Sequence, residues 1–332
     1  MTRPTMEDVA AAAGVSRSLV SLVFQDSPKV SEASRSRVLA EAERLGYRPN
    51  VLARQLASNR TRTIGILLDD LHNPYFADVL DAFEAEAEAA GYRALLANGR
   101  REGERESEAL GTFIDHRVDG VILVSPRISD SVLTSMSKIA PLVCVERRVD
   151  LPRIDVVMHD EQIGAQLVVD HLVSLGHRDI VHIDGGSGAG AAARRDWFMQ
   201  SMRSAGLAAS MRVIGGEFTE EAGREAAEQL VRGAMPTAIY CANDAVAAGV
   251  AAVLQREGIS IPGDVSLVGY DDTTLAKLDL LSLTSVRQPI AEMAKASVEL
   301  INRRIDKPRR GADFVDIAPT LVTRRSTAAP RA

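Results

Sequence analysis

The distribution of hydrophobic and polar positions divides the chain into a short helical stretch, residues 1–60, and a longer body. In the body, short runs of aliphatic and β-branched residues alternate with amphipathic segments, which is typical of parallel α/β units. The runs predict strands at residues 64–68, 93–97, 120–124, 180–184, 237–241 and 265–269, and the segments between them predict helices at 75–90, 104–116, 191–205, 219–232 and 243–257. Because the pattern starts again near residue 180, we expect two lobes that face a cleft.

The N-terminal stretch begins with the pattern of two short helices around a turn. Thr5 and Asp8 have the spacing of a capping box, which predicts a helix that begins at Met6. Gly14 can adopt the left-handed conformation that ends such a helix, and Ser16 is suited to cap the next one. Two helices separated by a three-residue turn predict a helix-turn-helix.

The second helix has two different faces. Its inward side is expected to carry Leu19, Val20 and Val23, and its other side Arg17, Ser18, Ser21, Leu22 and Gln25. A recognition helix contacts base edges with residues near its N-terminus, and an arginine can donate two hydrogen bonds to guanine. The pattern therefore favours Arg17 and Ser18 as readers of DNA, while a small three-helix domain with a solvated Arg17 is the alternative.

A third helix and a connector follow. Ser31 is expected to cap a helix over residues 32–45. Leu39 is expected among its inward residues, and Arg35 among the arginines that could contact phosphates. After the extended segment around Pro49, Asn50 is suited to cap a helix of one to two turns over residues 51–58. A helix this short is not stable alone, so we expect it to fold only against a partner helix or in a DNA groove.

Charge is distributed unevenly along the chain. Residues 1–60 contain nine Lys and Arg against six Asp and Glu, which leaves about −9 on the rest of a chain whose net charge is −6. A basic head on an acidic body indicates that nucleic acid binds at one end only. Because the excess is modest, specific binding is expected to need a dimer.

Length, cysteine content and apolar segments limit the class of protein. A chain of 332 residues with 46% hydrophobic positions suits two or three domains with a large core. Cys144 and Cys241 lie in strand-like runs, so we expect reduced core residues. There is no signal peptide and no long apolar span, and a cytoplasmic protein is therefore expected, without a membrane.

Several motifs resemble those of the LacI/GalR family of bacterial transcription regulators. They are DVA-x-x-AGVS at residues 8–16, VS at 20–21 and again at 30–31, LGYRPN at 45–50 and ARQLAS at 53–58, and the resemblance continues through nearly all of the chain. It implies an α/β body of two parallel-sheet lobes, periplasmic-binding-protein-like, with an N-terminal all-α helix-turn-helix headpiece.

The resemblance also implies how DNA is bound. The chain would form a homodimer on double-stranded DNA with an imperfect palindromic operator, and residues on the second helix would read the major groove. The connector helix, capped by Asn50, would enter the minor groove, where Leu56 would act as a wedge that kinks the duplex. The expected DNA-binding residues are Arg17, Ser18, Ser21, Leu22, Asn50 and Leu56.

The expected domains follow the same division. Residues 1–49 form the DNA-binding domain and 50–62 the hinge helix and linker. The first effector lobe takes residues 63–158 plus about 289–323, and the second takes 159–288. Residues 324–332 are expected to be a disordered tail, and no leucine heptad that would form a C-terminal coiled coil follows Ala318.

A small-molecule effector is expected at the carboxyl ends of the strands, where ligands of open parallel sheets bind. Tyr75 and Phe76 match the family's PD-x-x-NP-F-F segment and would place an aromatic ring on a sugar or base, unless the segment only caps a helix and supplies core. Arg194 matches the family's R-x-x-G-F arginine, which would donate a fork of hydrogen bonds to the ligand; a solvated helix arginine is the alternative. Trp197 stands where that motif has glycine.

Further polar residues match family motifs at other strand ends. Asn243 belongs to an Asn-Asp pair and Asp271 to a Gly-Tyr-Asp-Asp segment, and both could instead cap helices. Asp160 matches the aspartate of the family's D-N-x-x-G segment, and Glu146 and Arg147 stand where the family often has Asp-Arg. For these three the alternative is an ion pair at a strand end.

The sequence offers little support for catalysis. The glycine-rich run at residues 185–190 lacks the Gly-Lys-Ser/Thr of a phosphate-binding loop, the six histidines lack metal-ligand spacing, and no G-x-S-x-G elbow is present. We therefore expect no enzyme activity, no metal and no cofactor.

Three questions about function stay open at this stage. The effector is expected to be a sugar, with a nucleobase or nucleoside as the second choice. A partner protein could replace the small molecule as the effector. In a different class of protein, the chain would be a ligand-binding receptor without operator specificity, which a signal sequence or a lipidation cysteine would favour.

Overall fold

The computed structural model describes residues 4–24, 27–47, 60–307 and 311–331. The chain divides into two units, Met1–Thr61 and Arg62–Ala332. The predicted hinge residues Asn50 and Leu56 lie outside the described residues, as does Gln25.

The first unit contains three helices, α1 (Met6–Ala13), α2 (Arg17–Phe24) and α3 (Glu32–Leu45). The capping box is present, because the backbone N–H of Asp8 donates to Thr5 Oγ1 over 3.3 Å and the backbone N–H of Thr5 donates to Asp8 Oδ2 over 2.8 Å. Gly14 ends α1 with φ 63°, and Ser16 Oγ accepts from the N–H of Leu19 at the start of α2. The predicted helix-turn-helix geometry is confirmed.

The core of this unit is built mainly from valine and alanine, including Val9, Val20 and Val38. We expected Leu39 to point inward, and this was wrong, since Leu39 is 46% exposed. Only a narrow stripe of α3 around Val38 and Ala42 is buried, and Leu39 lies beside it. Arg35, expected to be available to phosphates, instead donates to the carbonyl oxygen of Ser27 over 2.9 Å and holds the loop between α2 and α3.

The second unit contains two six-stranded sheets. The first sheet has strands β1 (Thr63–Leu68), β2 (Arg93–Asn98), β3 (Gly120–Val124), β4 (Leu142–Val145), β5 (Ile154–His159) and β11 (Phe314–Ile317). Their order across the sheet is β11-β5-β4-β3-β1-β2, and every neighbouring pair is parallel.

The second sheet has strands β6 (Ile180–Ile183), β7 (Met211–Ile214), β8 (Ala238–Cys241), β9 (Ser266–Asp271), β10 (Thr284–Arg287) and β12 (Thr320–Val322). Their order is β12-β10-β9-β8-β6-β7, and only β12 runs antiparallel to its neighbour. Both sheets are mainly parallel and buried between helices, as the aliphatic runs predicted.

Helices cover both faces of each sheet. The first lobe has α4 (Tyr75–Ala89), α5 (Gly103–Asp115), α6 (Asp130–Met136) and α12 (Ile290–Asp306). The second lobe has α7 (Glu161–Ser174), α8 (Ala191–Ser204), α9 (Glu220–Arg232), α10 (Asp244–Arg256) and the short α11 (Thr274–Lys277). Separate apolar clusters lie on the two faces of each sheet, so each lobe has its own core.

The chain passes between the lobes three times: from β5 to α7, from β10 to α12, and from β11 to β12. The predicted boundary of the first lobe at residue 323 was therefore wrong, because Thr320–Val322 pairs with β10 in the second sheet. The sequence of a three-residue strand does not indicate which of the two sheets the strand joins.

The prediction of a disordered C-terminal tail was also wrong for residues 324–331. Ser326 is 1% exposed, and its hydroxyl accepts from the N–H of Thr284 and donates to the carbonyl oxygen of Leu267. The Ala328 carbonyl contacts the imidazole of His177 at 2.8 Å. The polar composition of the tail suggested solvation, but its polar groups pair with the second lobe.

Both cysteines are buried and free, as predicted. In the part of the chain that the structure describes, no helix is both long enough and apolar enough to span a membrane.

Candidate functional site

A cleft lies where the carboxyl ends of the strands in the two lobes face each other. Its empty volume is about 550 Å³, which includes the part open to solvent. It is lined by Asp69, Asp70, Asn73, Tyr75, Phe76, Arg101, Ser125, Arg127, Glu146, His159, Glu161, Ala189, Gly190, Arg194, Phe218, Asn243, Asp271 and Gln288.

Several lining residues adopt a backbone conformation that L-residues rarely take. Arg101, Ser125, Glu146 and Asp271 have φ values of 62°, 53°, 62° and 104°. Each ends or follows a strand at the sheet edge that borders the cleft. Such strain persists only where the surrounding structure holds it, and it concentrates at functional sites.

Glu146 is held on the first-lobe side of the cleft by hydroxyl groups. The Tyr75 hydroxyl donates to Glu146 Oε1, and the Ser125 hydroxyl donates to Oε2. The Tyr75 oxygen also lies 3.2 Å from Oε1 of Gln288, which is on the β10–α12 crossing between the lobes. All four side chains are less than one tenth exposed, so this network is shielded from water.

Arg194 and Glu161 form a buried ion pair on the second-lobe side. The guanidinium donates from Nε and Nη2 to the two carboxylate oxygens over 3.0 and 2.7 Å, and it stacks 3.5 Å above the ring centroid of Tyr270. Burial raises the pKa of Glu161, but the charges of Arg194 and His159 outweigh it and hold this pKa below its ordinary value. The pair is therefore ionised, and the fork of Arg194 is directed at Glu161.

Asp271 is a buried carboxylate whose charge is balanced less well than that of Glu161, which has an arginine partner. It accepts from Gln288 Nε2 over 2.7 Å. Burial, followed by the nearby Asp244 carboxylate, raises the pKa of Asp271 well above its ordinary value. Asp244 itself faces away from the cleft, where it accepts from Thr273 and Ser285.

Two side chains of the first lobe reach the second lobe across the cleft. Arg101 pairs with Glu217 at 2.5 Å. Arg127 pairs with Asp69 at 2.9 Å and also donates to the Ser187 hydroxyl over 3.1 Å. Ser187 belongs to the glycine-rich run at residues 185–190, which thus forms one edge of the cleft.

Two buried polar atoms of the lining have no hydrogen-bond partner among the described residues. They are Nδ1 of His159 and Nδ2 of Asn243, whose residues are 3% and 1% exposed. Asn243 does cap α10, because its Oδ1 accepts from the N–H of Val246, but its amide nitrogen is left over. A buried donor without an acceptor costs about 1–3 kcal/mol, which a ligand oxygen could recover.

The structure brings together six of the nine residues predicted to bind an effector: Tyr75, Phe76, Glu146, Arg194, Asn243 and Asp271. The other three do not line the cleft. Arg147 donates to the carbonyl oxygens of Pro126 and Ile128. Asp160 caps α7 by accepting from Ile163, and Trp197 is half-buried on α8.

Several lining residues were not predicted from the sequence, among them Ser125, Arg127, His159, Glu161 and Gln288. His159 and Glu161 flank Asp160, so the segment was found but not the side chains that face inward. Gln288 follows a four-residue strand that was not predicted.

Four of the six residues predicted to bind DNA lie among the described residues. Arg17 and Ser18 are exposed at the start of α2, and Arg17 forms an ion pair with Glu7 at 2.9 Å. Ser21 and Leu22 are half-buried, and Leu22 packs against the core of the unit.

No group of His, Cys, Asp and Glu side chains suited to hold a metal ion occurs among residues 4–24, 27–47, 60–307 and 311–331.

A helix-turn-helix unit followed by two lobes around a polar cleft defines a ligand-responsive DNA-binding protein.

Comparison with known proteins gives the family. Residues 5–50 match the family model described as bacterial regulatory proteins, lacI family, and residues 169–327 match that of the periplasmic binding protein-like domain. The HTH-type transcriptional regulator GalR of Escherichia coli is 36% identical over 332 residues, which cover 98% of this chain and 96% of that protein. The chain belongs to the LacI family and is a DNA-binding transcriptional regulator.

Solved structures of the family have the same architecture. The lac repressor dimer bound to operator and the anti-inducer ONPF superposes with a TM-score of 0.86 at 26% identity, covering 99% of this chain and 100% of that one. A LacI family transcriptional regulator from Enterococcus faecium with bound ribose has a TM-score of 0.73 at 25% identity, covering 81% of this chain and 100% of that one.

Proposed function

We propose that this regulator is a repressor that binds an imperfect palindromic operator as a homodimer and releases it when a sugar binds between the two lobes. The observation that carries the effector part is the convergence of buried acceptors and donors in one cleft, two of which, His159 Nδ1 and Asn243 Nδ2, have no partner in the part of the chain described. Hydroxyl groups can donate and accept at once, so a polyol suits such a lining.

The DNA end of the proposal rests on α2. Arg17 and Ser18 are exposed at its N-terminus, where a recognition helix contacts base edges. The homodimer is supported by the dimeric lac repressor, with which the chain aligns over nearly its whole length. Asn50 and Leu56 would act in the hinge, as the family resemblance implies.

The sugar is supported by the ribose bound to the related regulator. A nucleobase is the second candidate, because Phe76 and Phe218 offer aromatic faces in the same cleft. We further propose that the protein has no catalytic activity and acts in the cytoplasm, since its relatives are transcriptional regulators.

One experiment tests the effector class. The melting temperature of the full chain is measured with a panel of pentoses, hexoses and nucleosides, because a ligand that binds the folded state raises it by mass action. Any compound that raises it is then added to a mobility-shift assay with operator candidates selected from random duplexes. A sugar that stabilises the protein and releases the duplex is the expected result, and stabilisation by nucleosides alone would overturn the sugar assignment.

A further inference from the structure

Ion pairing in the cleft leaves two buried carboxylates, Glu146 and Asp271, without an arginine partner, while the less buried Asp70 pairs with His72. Each of the three lining arginines has its own acid: Arg101 pairs with Glu217, Arg127 with Asp69, and Arg194 with Glu161. Asp271 has no ion pair among the described residues, and Glu146 faces only His159, whose Nδ1 is 4.0 Å away. Both acids are 6% exposed.

The hydrogen bonds around these two acids are one donor short. Tyr75 has a single hydroxyl proton, yet its oxygen faces both Glu146 Oε1 and Gln288 Oε1. If the Gln288 amide is turned round, its nitrogen serves Tyr75, but its oxygen then faces the carboxylate of Asp271. In either orientation two acceptors face each other, unless a carboxyl group of this network carries a proton.

A buried carboxylate without a cation costs several kcal/mol, because water no longer solvates it. Burial and the Asp244 charge raise the pKa of Asp271 well above its ordinary value, and the charge of Arg194 and the hydrogen bond from Gln288 oppose this only in part. The linked side chains Glu146, Tyr75, Gln288 and Asp271 are therefore one hydrogen-bond donor short. A proton on Asp271 supplies that donor in the empty cleft, and an ammonium group of a ligand would supply it together with a positive charge when both carboxylates are ionised.

An unpaired donor elsewhere in the lining requires an acceptor from the ligand. Nδ2 of Asn243 is a donor without an acceptor, and its residue is 1% exposed. A hydroxyl oxygen would satisfy it, whereas an ammonium group would not. The arginines, for their part, are already neutralised, so an anionic effector such as a sugar acid or a sugar phosphate would meet an excess of negative charge.

We propose that the effector is an amino sugar, whose protonated amine binds at Glu146 and Asp271 and whose hydroxyl groups bind Asn243. This inference rests on the proposed function and narrows its ligand class. Glu146 and Asp271 are then the residues that determine specificity for the charged amine over the corresponding hydroxyl.

Matched sugars test the inference on the full chain. Isothermal titration at neutral pH compares D-glucosamine and D-galactosamine with their parent hexoses and their N-acetyl derivatives. At least one amino sugar should bind ten or more times more tightly than its parent, and its N-acetyl derivative should lose that gain. A parent hexose that binds as tightly as its amine would overturn the inference and leave a sugar effector in place. No binding of any sugar would overturn both proposals.

Isosteric variants test the location. In Asp271→Asn and Glu146→Gln the preference for the amine should fall to less than threefold, because each removes a negative charge while keeping the shape. Glu88→Gln removes a carboxylate from the exposed surface of α4 and should keep the preference. Two separate variants guard against loss of folding in one of them. A preference that persists in both Asp271→Asn and Glu146→Gln would contradict the assigned position.

Discussion

At the scale of single residues, Glu106 is the clearest case of a carboxyl group placed against its solvation preference. It is fully buried, and its Oε2 accepts from the backbone N–H groups of Arg127 and Ile128 over 2.6 and 2.7 Å. Its Oε1 has no partner among the described residues. Glu106 thus supports the loop that carries Arg127 to Asp69 and the second lobe.

Burial raises the pKa of Glu106 from 4.5 to about 7. Its protonated form is favoured in the folded state, so its contribution to stability is complete below pH 4.5 and is lost as the pH rises through 7. In Glu106→Gln this loss should be absent. The free energy of unfolding of the variant minus that of the unmodified protein should therefore increase by roughly 2–3 kcal/mol between pH 5 and pH 8. Denaturant unfolding at the two pH values measures it, and parallel pH profiles would contradict it.

Arg17 is the residue on which sequence reading of DNA depends in our proposal. Arg17→Ala should weaken operator binding by roughly 1–3 kcal/mol, with the loss concentrated at one base pair of each half-site. Binding to a set of operators with single base-pair changes measures this. Arg37→Ala, which removes another exposed arginine from α3, serves as the matched control and should weaken all duplexes about equally. An equal loss on all duplexes for Arg17→Ala would make it a phosphate contact.

Individual site residues could be predicted where a recognisable motif follows a strand. Tyr75, Asn243 and Asp271 were found in this way, and they line the cleft. Glu161 was missed. Its side chain faces the cleft, whereas that of the neighbouring Asp160 caps the helix, and spacing alone does not reveal which of the two faces inward. The pairing of Arg194 with Glu161 likewise depends on two segments 33 positions apart.

At the scale of elements, helices α9 and α10 pack through their backbones. A methyl group at Gly249 would overlap the carbonyl oxygen of Glu220, and one at Gly223 would overlap the carbonyl oxygen of Val246. Glycine is therefore required in both helices by close approach rather than by a turn. The contact brings the start of α10, where Asn243 faces the cleft, against α9.

Gly249→Ala should destabilise the protein by about 1–3 kcal/mol, because the two helices must separate to admit the methyl group. Gly111→Ala in α5 is a matched control, since nothing lies within 4 Å of its added methyl group. There alanine should stabilise by about 0.5–1 kcal/mol through helix propensity. Thermal unfolding of the two variants measures both effects, and equal shifts of the same sign would refute the role of close packing.

The regular elements could be predicted where their pattern was long. Helices with a complete amphipathic face, such as Glu220–Arg232, were found almost to the residue. The four-residue strands Leu142–Val145 and Phe314–Ile317 were not, since a run this short has no distinctive period and joins its sheet only through distant partners.

At the scale of the whole second unit, the two lobes are joined by three chain crossings and by side chains that meet across the cleft. Arg101 and Glu217 form the cross-cleft ion pair, and Arg127 contacts Ser187. Both contacts stabilise the arrangement of the two lobes seen in the structure, and we expect an effector in the cleft to favour the same arrangement.

Glu217→Ala should therefore weaken effector binding by about two- to fivefold, the range of a partly exposed ion pair, and change operator affinity without effector by less than twofold. Titration of effector and of operator DNA measures the two values. Glu221→Ala, an exposed neighbour on α9, should leave both unchanged. Unaltered effector affinity in Glu217→Ala would exclude a role of this pair in closure.

A ribosome makes this protein from its N-terminus, so the three helices of the first unit emerge long before the sheets can be completed. The first sheet waits for Phe314–Ile317, and the second waits for Thr320–Val322 and for Ser326 beneath it. Until then the edges of β5 and β10 remain open to pairing with other nascent chains. A partly synthesised regulator therefore contains its helix-turn-helix unit before the cleft that would bind an effector is complete.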